Sequence, residues 1–195
     1  MLQKVILLGL STSTLLMADG IGINMNKDIL EVEAVFNLEK LNTEETRGTT
    51  YQLDFNYMDN EDEPKSFFGV GMGVTNRIEG IEGLSLTLGT KYIRGDIDED
   101  EDFSALPLMM KARYDLSSWV SVIPSVSLEL KALYAPDILS FGESKEYSEF
   151  RISTDAELID NVVVYGGYRN IRTDFDGITD KSFDNSLYAG LKFIY

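Results

Sequence analysis

Histidine and cysteine are both absent from this 195-residue chain. Without histidine, no Ser-His-Asp arrangement can form, and the commonest general base and metal ligand are missing. Without cysteine there are no disulfides and no thiol to carry a lipid. Basic residues are scarce: 17 Lys and Arg stand against 33 Asp and Glu, a formal net charge of −16. Phosphate binding needs clustered Lys and Arg, so the balance argues against nucleic acid as a partner. Long apolar runs are missing too. The one near the start, Val5-Ile6-Leu7-Leu8-Gly9-Leu10, falls short of the roughly 18 residues that a spanning helix needs. No stretch after residue 18 has convincing helical periodicity.

What is present begins with an export signal. Lys4, the short apolar run, a Ser/Thr patch and Ala18 before Asp19 fit a cleaved secretory signal peptide at residues 1–18. Leu16 is bulkier than the usual Ala-x-Ala pattern prefers. The segment removes one base and no acid, which leaves a mature chain, residues 19–195, more acidic still.

Along that mature chain the dominant period is two. Leu30, Val32, Ala34, Phe36 and Leu38 share one face, as do Tyr51, Leu53, Phe55 and Tyr57. Phe68, Val70, Met72 and Val74 alternate with Gly69, Gly71 and Gly73. Leu84, Leu86 and Leu88 alternate with polar or small residues. These are one-sided strands, and an all-β chain of this kind can turn its apolar face inward, as in a sandwich, or outward to lipid.

Strand length favours lipid. The segments are 20–25, 29–39, 49–59, 66–76, 84–95, 103–115, 119–133, 145–157, 161–172 and 183–195. Most reach the 9–11 residues that cross a bilayer, against about 5–6 in a globular strand. The expectation is an antiparallel transmembrane β-barrel of about ten strands, with eight as the alternative because 20–25 is short and Pro124 interrupts 119–133. Its opposite faces would line the lumen with Glu31, Glu33, Asp54, Lys91, Lys111, Arg113, Glu129, Lys131, Arg151, Arg169 and Lys192. Mixed signs there can pair across the interior.

The connections alternate in length as well. With the first strand rising from the periplasm, 40–48, 77–83, 116–118 and 158–160 are inner turns. The outer loops are 26–28, 60–65, 96–102, 134–144 and 173–182, several strongly acidic. Tyr57, Phe67, Tyr92, Phe103, Tyr114, Trp119, Tyr134, Tyr168 and Tyr195 sit near strand ends, where an interfacial girdle would want aromatics. The chain closes on Leu187, Ala189, Leu191, Phe193 and Tyr195, an apolar stripe that resembles the terminal strand by which outer-membrane barrels are recognised for assembly.

Other chemistry finds little support. Gly69-Val70-Gly71-Met72-Gly73 lacks nucleotide-loop spacing and a following helix, so close packing explains it better. The acidic run at 96–102 could attract calcium, but it lacks the spacing and central Gly of an EF-hand and reads first as a solvated loop. Barrel enzymes that depend on histidine are disfavoured. The expectation is no enzyme and no cofactor.

Leu133-Tyr134-Ala135-Pro136-Asp137-Ile138-Leu139-Ser140-Phe141 and Val164-Tyr165-Gly166-Gly167-Tyr168-Arg169-Asn170-Ile171-Arg172 resemble the YfaZ family of bacterial outer-membrane proteins. Weaker likeness runs through most of the mature chain, including Gly22-Ile23-Asn24. The resemblance implies an outer-membrane barrel of a Gram-negative bacterium, sometimes described as porin-like, with no catalytic residues to transfer. Two functions follow as expectations. One is a narrow channel for small solutes or ions; the other is a non-conducting structural or surface-interaction barrel with acidic outer loops. Expected partners are outer-membrane lipid and, during insertion, the barrel-assembly machinery. The barrel is expected to be a monomer.

Overall fold

A computed structural model describes residues 19–38, 49–60, 65–98, 101–117, 125–142, 144–175 and 178–194. The signal segment, Trp119, Pro124 and Tyr195 lie outside the described residues. The strands are β1 Gly20–Met25, β2 Ile29–Asn37, β3 Thr49–Asn60, β4 Ser66–Arg77, β5 Leu84–Asp98 and β6 Glu101–Ala105. There follow β7 Leu108–Asp115, β8 Ser125–Ala135, β9 Ser140–Gly142, β10 Ser144–Ile159, β11 Val162–Phe175 and β12 Ile178–Ile194. Hydrogen bonding runs β4-β3-β2-β1-β12-β11-β10-β8-β7-β5 and returns from β5 to β4, all antiparallel. The sheet closes on itself as a barrel of ten staves.

β6 and β7 share one of those staves. Ala105 pairs with Ile93 and Leu108 with Thr90, and the break between them falls at Leu106-Pro107. Proline has no N–H to offer a ladder. The Pro107 carbonyl still accepts from the Lys91 N–H at 3.1 Å and the Thr90 hydroxyl at 3.1 Å. Above the break β6 leans away from β8 and pairs with β9 instead. Of the strand expected over 119–133, residues 125–133 lie in β8, and residues 119–124 lie outside the described residues.

The period-two pattern places its faces as the sequence implies. On β3, Gln52, Asp54, Asn56 and Met58 are buried while Leu53, Phe55 and Tyr57 lie on the other face. Phe36 of β2 meets Phe55 edge-on across that outer face, ring centroids 5.6 Å apart. Met72, Leu88, Leu108 and Leu187 are each at least 60% exposed. A barrel that covers its polar groups and bares its large apolar ones has hydrocarbon for a solvent. Phe55→Lys is therefore expected to cost about 2–4 kcal/mol near the bilayer midplane. Refolding titrations into lipid vesicles measure this, and a cost near zero would place Phe55 in water.

Turn chemistry sets the ends. Asp160-Asn161 joins β10 to β11, with Asn161 at φ 68°, a left-handed conformation that asparagine tolerates. The Asn26 side-chain oxygen accepts from the backbone N–H groups of Asp28 (2.8 Å) and Ile29 (2.7 Å), folding the β1–β2 turn. At the same end of the barrel, two expected loops prove to be strand. Of the acidic run, residues 96–98 end β5 and residues 101–102 begin β6, with Asp96 opposite Asp102 and Asp98 opposite Glu101, and residues 99–100 lie outside the described residues. Much of 173–182 extends β11 and β12. Segment 134–144 carries a short 3-10 turn, Asp137–Leu139, and β9.

Candidate functional site: the barrel interior

Two layers of different chemistry fill the inside. The first lies toward the end opposite the chain termini. Phe67 of β4, Phe103 of β6, Tyr147 of β10 and Phe183 of β12 all point inward and are buried. Their centroids lie 5.6 Å (Phe67–Phe183), 6.0 Å (Phe103–Tyr147) and 6.3 Å (Phe67–Phe103 and Phe67–Tyr147) apart. Ile29, Met58, Ile93, Met109, Leu133 and Ile171 pack into the same cluster. Aromatic pairs at such separations contribute about 0.5–1.5 kcal/mol each beyond area burial. Phe67 and Phe103 were expected in the interfacial girdle. They sit instead on the inward parity of β4 and β6, while Tyr57, Tyr92, Tyr114, Tyr134 and Tyr168 fall on the outward parity.

Beneath the aromatics lies an ionic hub centred on Glu31 of β2. Arg151 of β10 grips its carboxylate with both terminal nitrogens, at 2.8 and 3.0 Å. Arg169 of β11 donates at 2.6 Å, Asn24 of β1 at 2.9 Å and Asn56 of β3 at 2.8 Å. Glu149 takes the Arg151 Nε at 2.5 Å and accepts from the Tyr147 hydroxyl at 2.8 Å, which ties the hub to the aromatic layer. Asp184 of β12 takes the Arg169 Nε. The Arg169 guanidinium also lies 5.0 Å above the Tyr188 ring. Glu31 and Arg169 are both 0% exposed.

The hub joins the first strands to the last. β1 offers only six residues to each neighbour, so backbone pairing at the closing seam is short. Side chains from β1, β2 and β3 on one side and β10, β11 and β12 on the other reinforce it. Small residues make room for them. A Cβ on Gly22 would stand 2.7 Å from the Glu33 carboxylate, and one on Gly71 would fall on that of Asp54.

Toward the termini the interior is wetter. Lys91 pairs with Asp54 at 2.5 Å, Lys192 approaches Glu33 at 3.8 Å, and Arg113 holds Asp155 at 2.7 Å and Glu129 at 3.6 Å. A cavity of about 70 Å³ lies among Glu31, Glu33, Asp54, Lys91, Lys111, Glu129, Lys131 and Lys192. Nearer the rim, a recess of about 780 Å³ is bordered by Arg77, the 78–84 segment, Arg113 and Asp115. The two walls differ in sign. Lys111, Lys131, Arg151 and Arg169 stand in one cross-strand row on β7, β8, β10 and β11. Glu31, Glu33 and Asp54 stand on β2 and β3.

All eleven residues expected to line the lumen are thus inside, three of them in the hub and eight in the wetter half. The sequence reading missed Asn24, Asn56, Glu149, Asp155 and Asp184. Glu149 and Asp155 share parity with Arg151, so the signal was present on that strand. Asn56 likewise shares parity with Asp54 on β3, whereas Asn24, on the short β1, gave no such signal. Of the terminal stripe, Leu187, Ala189, Leu191 and Phe193 face outward. No group of acids that could hold a metal occurs among the described residues. For the acidic run the side chains of residues 97–102 lie outside them.

An apolar exterior around a polar, filled interior defines a membrane β-barrel. The chain belongs to the YfaZ family: the family model described as YfaZ precursor matches residues 3–195. No curated protein matches it. Among solved structures it is similar to the outer membrane channel DcaP of Acinetobacter baumannii, at 10% identity and TM-score 0.48, over 89% of this chain and 54% of that one. It is also similar to a bacterial polysaccharide outer membrane secretin, at 12% identity and TM-score 0.45, over 90% of this chain and 69% of that one.

Proposed function

We propose that the protein is an outer-membrane barrel closed by its own side chains, serving as a structural or surface-interaction element and not as an open pore. The observation that carries this reading is the aromatic cluster stacked on the fully buried Glu31–Arg169 hub. Small barrels are commonly filled in this way. With the termini toward the periplasm, the end of the barrel that bears β6 faces the medium, where an acidic sequence suits contact with cations or basic partners. Lipid covers the outer face, the assembly machinery reads the end of β12, and the barrel acts as a monomer without catalytic chemistry.

The test is single-channel recording of the refolded protein in planar bilayers. No steady current is expected from protein shown to be folded and inserted. Reproducible ohmic steps would overturn the closed reading. They would favour a second one, a narrow porin-like channel for small solutes or ions, which the opposed charged walls of the wetter half support.

A further inference from the structure

The outer segment 134–144 differs from the other long outer segments in charge. Residues 60–65, 96–102 and 173–182 are rich in acids, whereas the stretch 136–142 carries Asp137 alone. It is also built onto the wall. β9 pairs with β6, Ser140 opposite Ala105 and Phe141 opposite Ser104. The Leu106 N–H donates to the Leu139 carbonyl at 2.8 Å. The Leu139 N–H and the Ser140 hydroxyl both donate to the Pro136 carbonyl, at 2.8 and 3.2 Å. Leu139 packs against the interior aromatic cluster. Its neighbours take the other side: Ile138 is 83% exposed and Phe141 47%.

A water-facing loop is seldom tied down so as to hold its large apolar groups in the open. Continuity with the lipid-facing band says what covers them here. β6 leaves that band bare, since Phe103 and Ala105 are buried inside and the residue between them on the outer face is Ser104. Phe141 stands beside it in one cross-strand row of outward side chains: Tyr57, Phe68, Arg94, Ser104 and Phe141. Tyrosine, phenylalanine and arginine are the side chains that a membrane–water boundary collects. On its other flank the segment follows directly on Tyr134, which is outward and opposite Leu108 of the lipid-facing wall. Asp137, exposed beside Ile138, sets the depth, because a carboxylate suits the headgroup region and not the hydrocarbon.

We propose that residues 136–142 form an interfacial foot that binds lipid. Ile138 and Phe141 dip into the acyl boundary of the leaflet at the end opposite the termini, with Asp137 among the headgroups. The foot supplies the stretch of apolar band that the wall lacks beyond the break at Leu106-Pro107, and it fixes the height of the barrel in that leaflet. The inference rests on the membrane-barrel reading and holds whether or not the lumen conducts.

The experiment uses the refolded full barrel in dilauroylphosphatidylcholine vesicles. Because the chain has no cysteine, Ile138→Cys takes a single nitroxide label. Collisions with oxygen, which partitions into hydrocarbon, are compared with collisions with a nickel chelate, which does not. Met72→Cys on the lipid-facing wall and Lys27→Cys on the exposed β1–β2 turn are the references. The Ile138 label is expected to favour oxygen, at a depth of about 5–10 Å into the headgroup–acyl boundary and shallower than Met72. Phe141→Cys should read the same depth, and it carries the test where Ile138→Cys does not fold. Labels at both positions as open to nickel as Lys27 would overturn the foot while Met72 still reports lipid. Nickel access at Met72 as well would fail the membrane reading itself, and the inference with it. Shielding from both reagents that is relieved as the protein is diluted in lipid would assign the patch to a second copy of the chain and overturn the lipid assignment.

Discussion

Glu31→Ala is expected to lower the unfolding free energy by about 3–5 kcal/mol, the usual cost of breaking a buried ion pair from one side. Arg151 and Arg169 would each keep one carboxylate, Glu149 and Asp184, but both would lose their shared one. Asn24 and Asn56 would lose their acceptor as well. Because the hub spans the seam between β1 and β12, the loss should appear as faster opening of that seam. Protection of β1 amides against hydrogen exchange should fall first. Glu33→Ala is the internal control. Its partner Lys192 sits at 3.8 Å and both side chains are partly exposed. An ion pair of that kind contributes under about 1 kcal/mol. Urea titrations of the two variants in the same lipid compare them, and equal losses would mean that the hub holds nothing special.

The fold was legible because a barrel wall is a one-dimensional code. Each stave must be apolar on one parity, and Leu53, Phe55 and Tyr57 against Gln52, Asp54 and Asn56 state that parity without any knowledge of partners. The ionic row was legible on the same ground, since Lys111, Arg151 and Arg169 all fall on polar parities. Pairing was not. Glu31 lies 120 positions from Arg151 and 138 from Arg169, and nothing local says that those three meet. The aromatic layer was misread for a related reason. Phe67 and Phe68 are adjacent, so one must face lipid and the other the interior, and the residue type is the same for both. Composition at a strand end therefore could not separate a girdle from a plug. Only parity counted from the glycines of β4 does so, because Gly69, Gly71 and Gly73 face the crowded inside and carry Phe67 with them. The loop boundaries failed where acidic strand residues looked like solvent-facing loop. Asp96 and Asp102 nevertheless pair as strand, because backbone ladder bonds do not depend on side-chain charge.

Phe67→Ala should separate the two layers that close the lumen. Phe67 is the common neighbour of Phe103, Tyr147 and Phe183, so truncation opens a void at the centre of the aromatic cluster. Phe→Ala in a packed core costs about 3–5 kcal/mol, transfer and cavity terms together. The void is apolar and bordered by Ile29, Met58 and Ile93, which favours a dry space over a water column. Below it Glu31, Arg151 and Arg169 still meet across the barrel, joined at 2.6 to 3.0 Å. An ion crossing there would have to displace a charge-assisted network that leaves Glu31 and Arg169 wholly buried. The expected result is a barrel that unfolds at lower denaturant concentration yet passes no steady current in planar bilayers. Neutralising Arg113 and Arg169 together probes the other layer. It should also cost stability and leave conductance near zero, because the aromatic cluster above is intact and the released carboxylates are unpaired. A steady, ion-selective current from Phe67→Ala alone would show that the aromatics are the whole barrier and that the hub is a permeable lining. Current from the arginine double variant would show the reverse. If both variants stay silent while both lose stability, the two layers close the lumen in series, each sufficient without the other.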